Sequence, residues 1–170
     1  LDRVYQADVA IQSGVNAAAQ ALAALLAPAA PPRWQAWSRQ LNADYRANLV
    51  PQRLAGLSEG ISGDIDLPRV IASLQRQLPA DAVITNGAGN FASWIHRYFQ
   101  YHGVAKGHKT QLAPTNGAMG YGVPAGIAAN LATGRTAFTI AGDGDFLMNG
   151  QELATALQHG GKSIILLLNN

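Results

Sequence analysis

Thr136-Ala137-Phe138-Thr139-Ile140-Ala141-Gly142-Asp143-Gly144-Asp145 and, further on, Ser163-Ile164-Ile165-Leu166-Leu167-Leu168-Asn169-Asn170 are the two pieces of sequence on which the fold turns. Each opens with a short uncharged apolar run, the pattern of a strand buried on both faces. The segment 151–159 between them has helical composition, so the whole reads strand, helix, strand: a parallel pair joined by a crossover, right-handed in an ordinary sheet. If those strands are neighbours, their carboxyl ends lie side by side. Asp143 and Asn170 would then enter one crevice as two hard oxygen ligands, while Gly142 and Gly144 let backbone N–H groups come close to an anion. Magnesium takes few protein ligands and completes its octahedron with phosphate oxygens and water, so one carboxylate, one amide carbonyl and a further ligand suffice. The pair reads as a site for magnesium and a diphosphate.

Working outward, the same alternation extends over most of the chain. The patterns predict helices over 67–78, 91–99, 119–131 and 151–159, and strands over 82–85, 110–112, 136–140 and 163–168. Such alternation implies an α/β fold with a doubly wound parallel sheet and helices on both faces. Ligands of such sheets sit at the carboxyl ends of the strands. Three loops there are rich in glycine: Asn86-Gly87-Ala88-Gly89-Asn90, Asn116-Gly117-Ala118-Met119-Gly120-Tyr121-Gly122, and Gly142-Asp143-Gly144-Asp145. Upstream, 4–11 is strand-like, 15–26 is an Ala/Leu-rich helix stopped by Pro28, and 34–49 carries Trp34, Trp37, Leu41, Tyr45 and Leu49 at helical spacing. The expected division is 1–30 as the tail of a preceding α/β domain, 31–63 as connecting helix and linker with its boundary loop at 56–63, and 64–170 as the ligand-binding domain. Both ends read as cuts, the last one falling just after a buried strand.

Composition narrows the classes. A chain of 170 residues with 48% hydrophobic and 13% charged residues and 18 Gly is a packed α/β protein rather than a disordered one. Its net charge of +2 comes from scattered Lys and Arg, which leaves nucleic-acid binding without an electrostatic footprint. Without cysteine there are no disulfides, thiolate metal sites or thiol nucleophiles, which is compatible with a cytoplasmic location. The apolar stretch 17–30, broken by Gln20 and Pro28, is too short to span a membrane, and the N-terminus lacks the layout of a signal peptide.

Gly-Asp-Gly at 142–144, then the 24 residues of 145–168, then Asn-Asn, resembles the cofactor motif of the thiamine diphosphate-dependent enzymes. The stretch 117–125 resembles that family's segment around the aminopyrimidine and thiazolium rings. By that resemblance the Gly117 carbonyl accepts from the 4′-amino group, the Met119 N–H bonds a pyrimidine nitrogen, and the Met119 side chain wedges between the rings, with Ala118 beside it. The stretch 87–94 resembles the part of acetolactate synthases whose polar pair touches the diphosphate. Asn90 keeps that role, while Phe91 stands where the family has His and offers no hydrogen bond. Gly150-Gln151-Glu152-Leu153-Ala154-Thr155-Ala156 also matches acetolactate synthase-like enzymes.

The resemblance implies a carboligase or decarboxylase of small 2-oxo acids using thiamine diphosphate and Mg2+. Asn90, Gly117, Ala118, Met119, Gly142, Asp143, Gly144, Asp145 and Asn170 would serve the cofactor, with Asp143 and Asn170 as metal ligands. It also implies a homodimer or homotetramer with the site at a subunit interface. No segment resembles the family's pyrimidine-binding domain, so the activating Glu and the third metal ligand are expected outside these residues, and none of the residues here is expected to be catalytic. The alternative is a non-catalytic cofactor-binding or dimerisation fragment. A dinucleotide domain is disfavoured, because no Gly-x-Gly-x-x-Gly follows the first strand. The histidines 96, 102, 108 and 159 lack mutual ligand spacing, Glu152 is expected only to complement a helix start, and the three Trp fit helix faces.

Overall fold

A computed structural model of the chain describes residues 3–26, 31–50, 65–101, 103, 107 and 109–169. The expected boundary loop at 56–63, His102, His108 and Asn170 lie outside them. The chain divides into two compact units, Leu1–Tyr45 and Arg46–Asn170.

The first unit holds helix α1 (Val15–Leu25), none of whose residues is buried, and most of α2 (Gln35–Asn48), which likewise buries nothing. The strand expected over 4–11 does not form: those residues are exposed bends and coil. A strand holds only when its backbone groups find a partner strand, and no pairing partner for this stretch occurs among the described residues.

In the second unit α3 (Leu67–Gln77) starts where the Asp66 carboxylate accepts the Arg69 N–H at 3.2 Å and Pro68 occupies the first turn. There follow β1 (Val83–Asn86), α4 (Asn90–Tyr98), β2 (Gln111–Leu112), α5 (Gly122–Thr133), β3 (Ala137–Gly142), α6 (Asp143–Asn149), α7 (Glu152–His159) and β4 (Ile164–Leu168). The strands form one parallel sheet in the order β2-β1-β3-β4.

Alternation along the strands sorts side chains to two faces, as a period of two requires. Ile84, Phe138 and Ile140 join Ile71, Ile95 and Tyr98 in a core beneath α3 and α4, with Leu166 and Leu168 of β4 packed against it. On the other face Ile165 packs with Val123, Ile127 and Ala156 under α5 and α7. The intervening Thr85 and Thr139 are fully buried and share a 2.7 Å hydroxyl contact, and Thr85 donates to the Gly122 carbonyl at 2.8 Å. This is the two-faced parallel sheet the sequence predicts.

Most boundaries fall within two residues of expectation, and two differences bear on the site. Helix α5 begins at Gly122 rather than near 119, because Gly120 takes φ +80°, a left-handed conformation that cannot continue into a right-handed helix. The loop read at 142–145 instead opens helix α6, Asp143–Asn149, which was not expected from the sequence. Its acidic first turn, Asp143 and Asp145, favours that start through the helix dipole.

Candidate functional site

The carboxyl ends of β3 and β4 lie side by side, as the register Gly142↔Leu168 shows. Asp143 follows at once, half-buried, as the first residue of α6. With Gly142, Gly144 and Asp145 it lines a cavity of about 370 Å³ at this end of the sheet. The cavity is within the range of about 300–1,000 Å³ usual for small-ligand sites.

Its other walls come from the remaining two glycine loops. After β1 the chain passes Ala88 and Gly89 into α4, whose first residue, Asn90, is exposed on the cavity. Ahead of α5, Met119 lines it with 43% of its surface exposed, so it is not a core residue of the helix start. A Cβ at Gly144 would meet the Met119 Cε at 3.6 Å, so the thioether arm lies over the first turn of α6. Gly117 and Ala118 are exposed, but they stand outside the cavity lining. Asn170 lies outside the described residues. Thus the fold gathers Asn90, Met119, Gly142, Asp143, Gly144 and Asp145 around one space and leaves Gly117 and Ala118 outside its lining.

Asp145 behaves differently from its neighbour. Only 2% exposed, its Oδ1 accepts the Gly120 N–H at 2.7 Å and the Ala88 N–H at 3.3 Å. Gly87 has no room for a side chain, because a Cβ there would fall 1.8 Å from that same oxygen. Asp145 therefore holds the two neighbouring loops to α6.

Sequence reasoning missed four apolar wall residues, Leu67, Phe91, Trp94 and Leu168. Phe91 lies against Gly142, where a Cβ would meet its Cδ1 at 3.0 Å, and so fills with a ring the place where a polar side chain was looked for. Helical spacing could have put Phe91 and Trp94 on one face of α4, but nothing local says that this face looks into a cavity. Of the described histidines, His96 Nε2 lies 3.0 Å from the Oδ1 of buried Asn86, away from the cavity lining. His159 closes the last turn of α7, and Glu152 at its start accepts from the Thr155 hydroxyl at 2.7 Å.

The donors suit a cation held together with an anionic ligand. No group of three or more His, Cys, Asp or Glu able to hold a metal occurs among the described residues. The Asp143 carboxylate beside glycine backbone and an open space fits a hard cation that shares its coordination with phosphate oxygens.

Residues 87–170 match the model of the thiamine pyrophosphate enzyme C-terminal TPP-binding domain. Over the whole chain the sequence is 31% identical to the acetolactate synthase isozyme 2 large subunit of Escherichia coli, covering 28% of it. The chain belongs to the thiamine pyrophosphate enzyme family. Within that family it is also 35% identical to a probable 2-ketoarginine decarboxylase of Pseudomonas aeruginosa, over 77% of this chain and 21% of that one. A thiamine diphosphate-dependent 4-hydroxybenzoylformate decarboxylase of Rhodococcus jostii shares the fold, with a TM-score of 0.57, 24% identity and coverage of 65% of this chain and 20% of that one. The chain thus spans about a quarter of the length of these relatives. Residues 87–170 include the three glycine loops, apart from Asn86 of the first, and the β3–β4 junction.

Proposed function

We propose that the protein carrying this chain binds thiamine diphosphate with Mg2+ and acts on small 2-oxo acids, as an acetolactate synthase-like carboligase or decarboxylase. The observation that carries the reading is the pairing Gly142↔Leu168, which sets Asp143 at the meeting point of two parallel strands and on the same cavity as Asn90 and Met119. When bound, the cofactor supplies the stabilisation of negative charge at the substrate's keto carbon. Everything else falls to the chain's own groups.

Asp143, together with Asn170, is assigned to the metal. Asn90 and the backbone of Gly142 and Gly144 are assigned to the diphosphate. The Gly117 carbonyl, Ala118 and the Met119 backbone and side chain are assigned to the rings, where an unbranched thioether adapts to a bent ligand. Phe91, Trp94 and Leu168 form an apolar wall that excludes water, which strengthens every electrostatic contact inside. Exposed Met119, Tyr121, Leu147, Met148 and Leu153 support a homodimer or homotetramer in which another subunit covers this end of the sheet; a cytoplasmic location belongs to the same proposal.

Calorimetry on the full-length protein tests the reading. Thiamine diphosphate should bind in the presence of Mg2+ and lose at least about 10-fold in affinity when the metal is chelated, whereas NAD should not bind. Equal binding with and without the metal, or a preference for NAD, would overturn it.

A further inference from the structure

We propose that Asp145 and Asn149 are a positioning pair that fixes the two peptides flanking Gly120, so that α6 holds the backbone beside Met119 at a set place relative to Asp143. The two residues stand four apart, one helical turn, and so share a face of α6. That face holds the two successive peptide units on either side of the Gly120 Cα. The Gly120 N–H donates to Asp145 Oδ1 at 2.7 Å, and the Gly120 carbonyl accepts from Asn149 Nδ2 at 2.9 Å. Gly120 is buried, and a Cβ on it would lie 2.7 Å from Asn149 Nδ2 and 2.9 Å from Met148 Cβ, so the backbone touches the helix directly.

The same Asp145 oxygen also takes the Ala88 N–H and fills the space above Gly87, which ties the loop before Asn90 to the same helix. Helix α6 therefore carries Asp143 on the cavity, Gly144 beneath the Met119 methyl, and Asp145 and Asn149 on the Gly120 backbone. Catalysis by orientation is sensitive to displacements of about 1 Å. A rigid helix that bears both ends of the arrangement removes that freedom more effectively than two loops moving independently. The role rests on the thiamine diphosphate reading for its purpose but not for its existence, since the hydrogen bonds belong to the chain itself. Asp145 and Asn149 act through Gly120 and Met119, and are positioning rather than catalytic residues.

The experiment uses the full-length protein in two arms. In the cofactor-free protein, hydrogen–deuterium exchange of the peptide covering 116–122 should speed up about 10-fold in Asn149→Ala and in Asn149→Asp, which keeps the shape but cannot donate. Asp145→Asn, which keeps an acceptor, should change exchange less than Asp145→Ala. In the second arm, at saturating Mg2+, Asn149→Ala should lower kcat about 10-fold while thiamine diphosphate affinity falls less than about 3-fold. Unchanged exchange in both Asn149 variants overturns the clamp, and this holds even if Asp145→Ala fails to fold. Faster exchange with equal losses in kcat and affinity overturns the ring-positioning role. A failure of the unsubstituted protein to bind thiamine diphosphate overturns the functional reading and leaves the exchange arm to judge the clamp.

Discussion

Asp143 and Asp145 are the same residue type two positions apart, yet the fold gives them different environments. Asp143 faces the cavity half-buried, whereas Asp145 turns inward to two backbone N–H groups. Removing the first should therefore affect binding, not folding. In the full-length protein Asp143→Ala should weaken Mg2+-dependent thiamine diphosphate binding by about 100-fold, on the order of 3 kcal/mol, with thermal stability unchanged. Calorimetry beside a melting curve checks this, and full affinity in the variant would remove Asp143 from the metal. Tyr101 makes a second case at this scale. Its hydroxyl is buried without a hydrogen-bond partner among the described residues, and burial pushes its ionisation well above the usual tyrosine range. A phenol that stays protonated when folded but ionises at about pH 10 when unfolded contributes stability that is whole below that pH and is lost as pH rises beyond it. Tyr101→Phe should flatten the fall in stability above about pH 10 and, by deleting an unsatisfied hydroxyl, raise stability near neutrality by about 1 kcal/mol. Denaturant titrations of both proteins across that range would show it.

Helix α5 meets the sheet at its backbone. A Cβ at Gly122 would stand 2.7 Å from the Gly87 nitrogen and 2.9 Å from the Asn86 carbonyl carbon, and backbone atoms cannot swing aside. Gly122→Ala should lift the helix start from β1 and cost about 2–3 kcal/mol. At the other end of α5, Gly134 closes the helix at φ +68° with open space around its missing side chain, so Gly134→Ala should cost only the left-handed conformation, about 1 kcal/mol. Chemical denaturation of the two variants orders them, and an equal cost would mean that the helix start has more slack than the contacts show. The same elements mark the limit of local reading. Apolar patterning found α3, α4, α5, α7, β1, β3 and β4, while β2, only Gln111–Leu112, was read from its place in the alternation. It missed α6, where Phe146-Leu147-Met148 follow one another without helical spacing and Gly144 argues for a turn.

For the molecule as a whole, the described surface keeps large apolar residues in the open: Leu147, Leu157 and Ile164 are more than half exposed. If another subunit or domain supplies the second wall of the site, as proposed, one wall alone should not work. The 170 residues alone, given pyruvate, Mg2+ and thiamine diphosphate, should therefore show no turnover above that of the free cofactor. A coupled assay decides it, and turnover would place the full machinery within this chain. The amino-acid sequence by itself determined the strands of the sheet and the helices other than α6, that the sheet is parallel and covered on both faces, and that Gly142-Asp143-Gly144 opens at a strand's carboxyl end. Those properties are carried by residues a few positions apart, where period and turn chemistry act. Only the tertiary structure decided the strand order β2-β1-β3-β4, the use of Phe91 as an apolar wall, and the inward turn of Asp145. Each of these depends on partners far away in the chain, 25 residues for Gly120 and 57 for Ala88 in the case of Asp145, and no local pattern records which distant backbone N–H a buried carboxylate will meet.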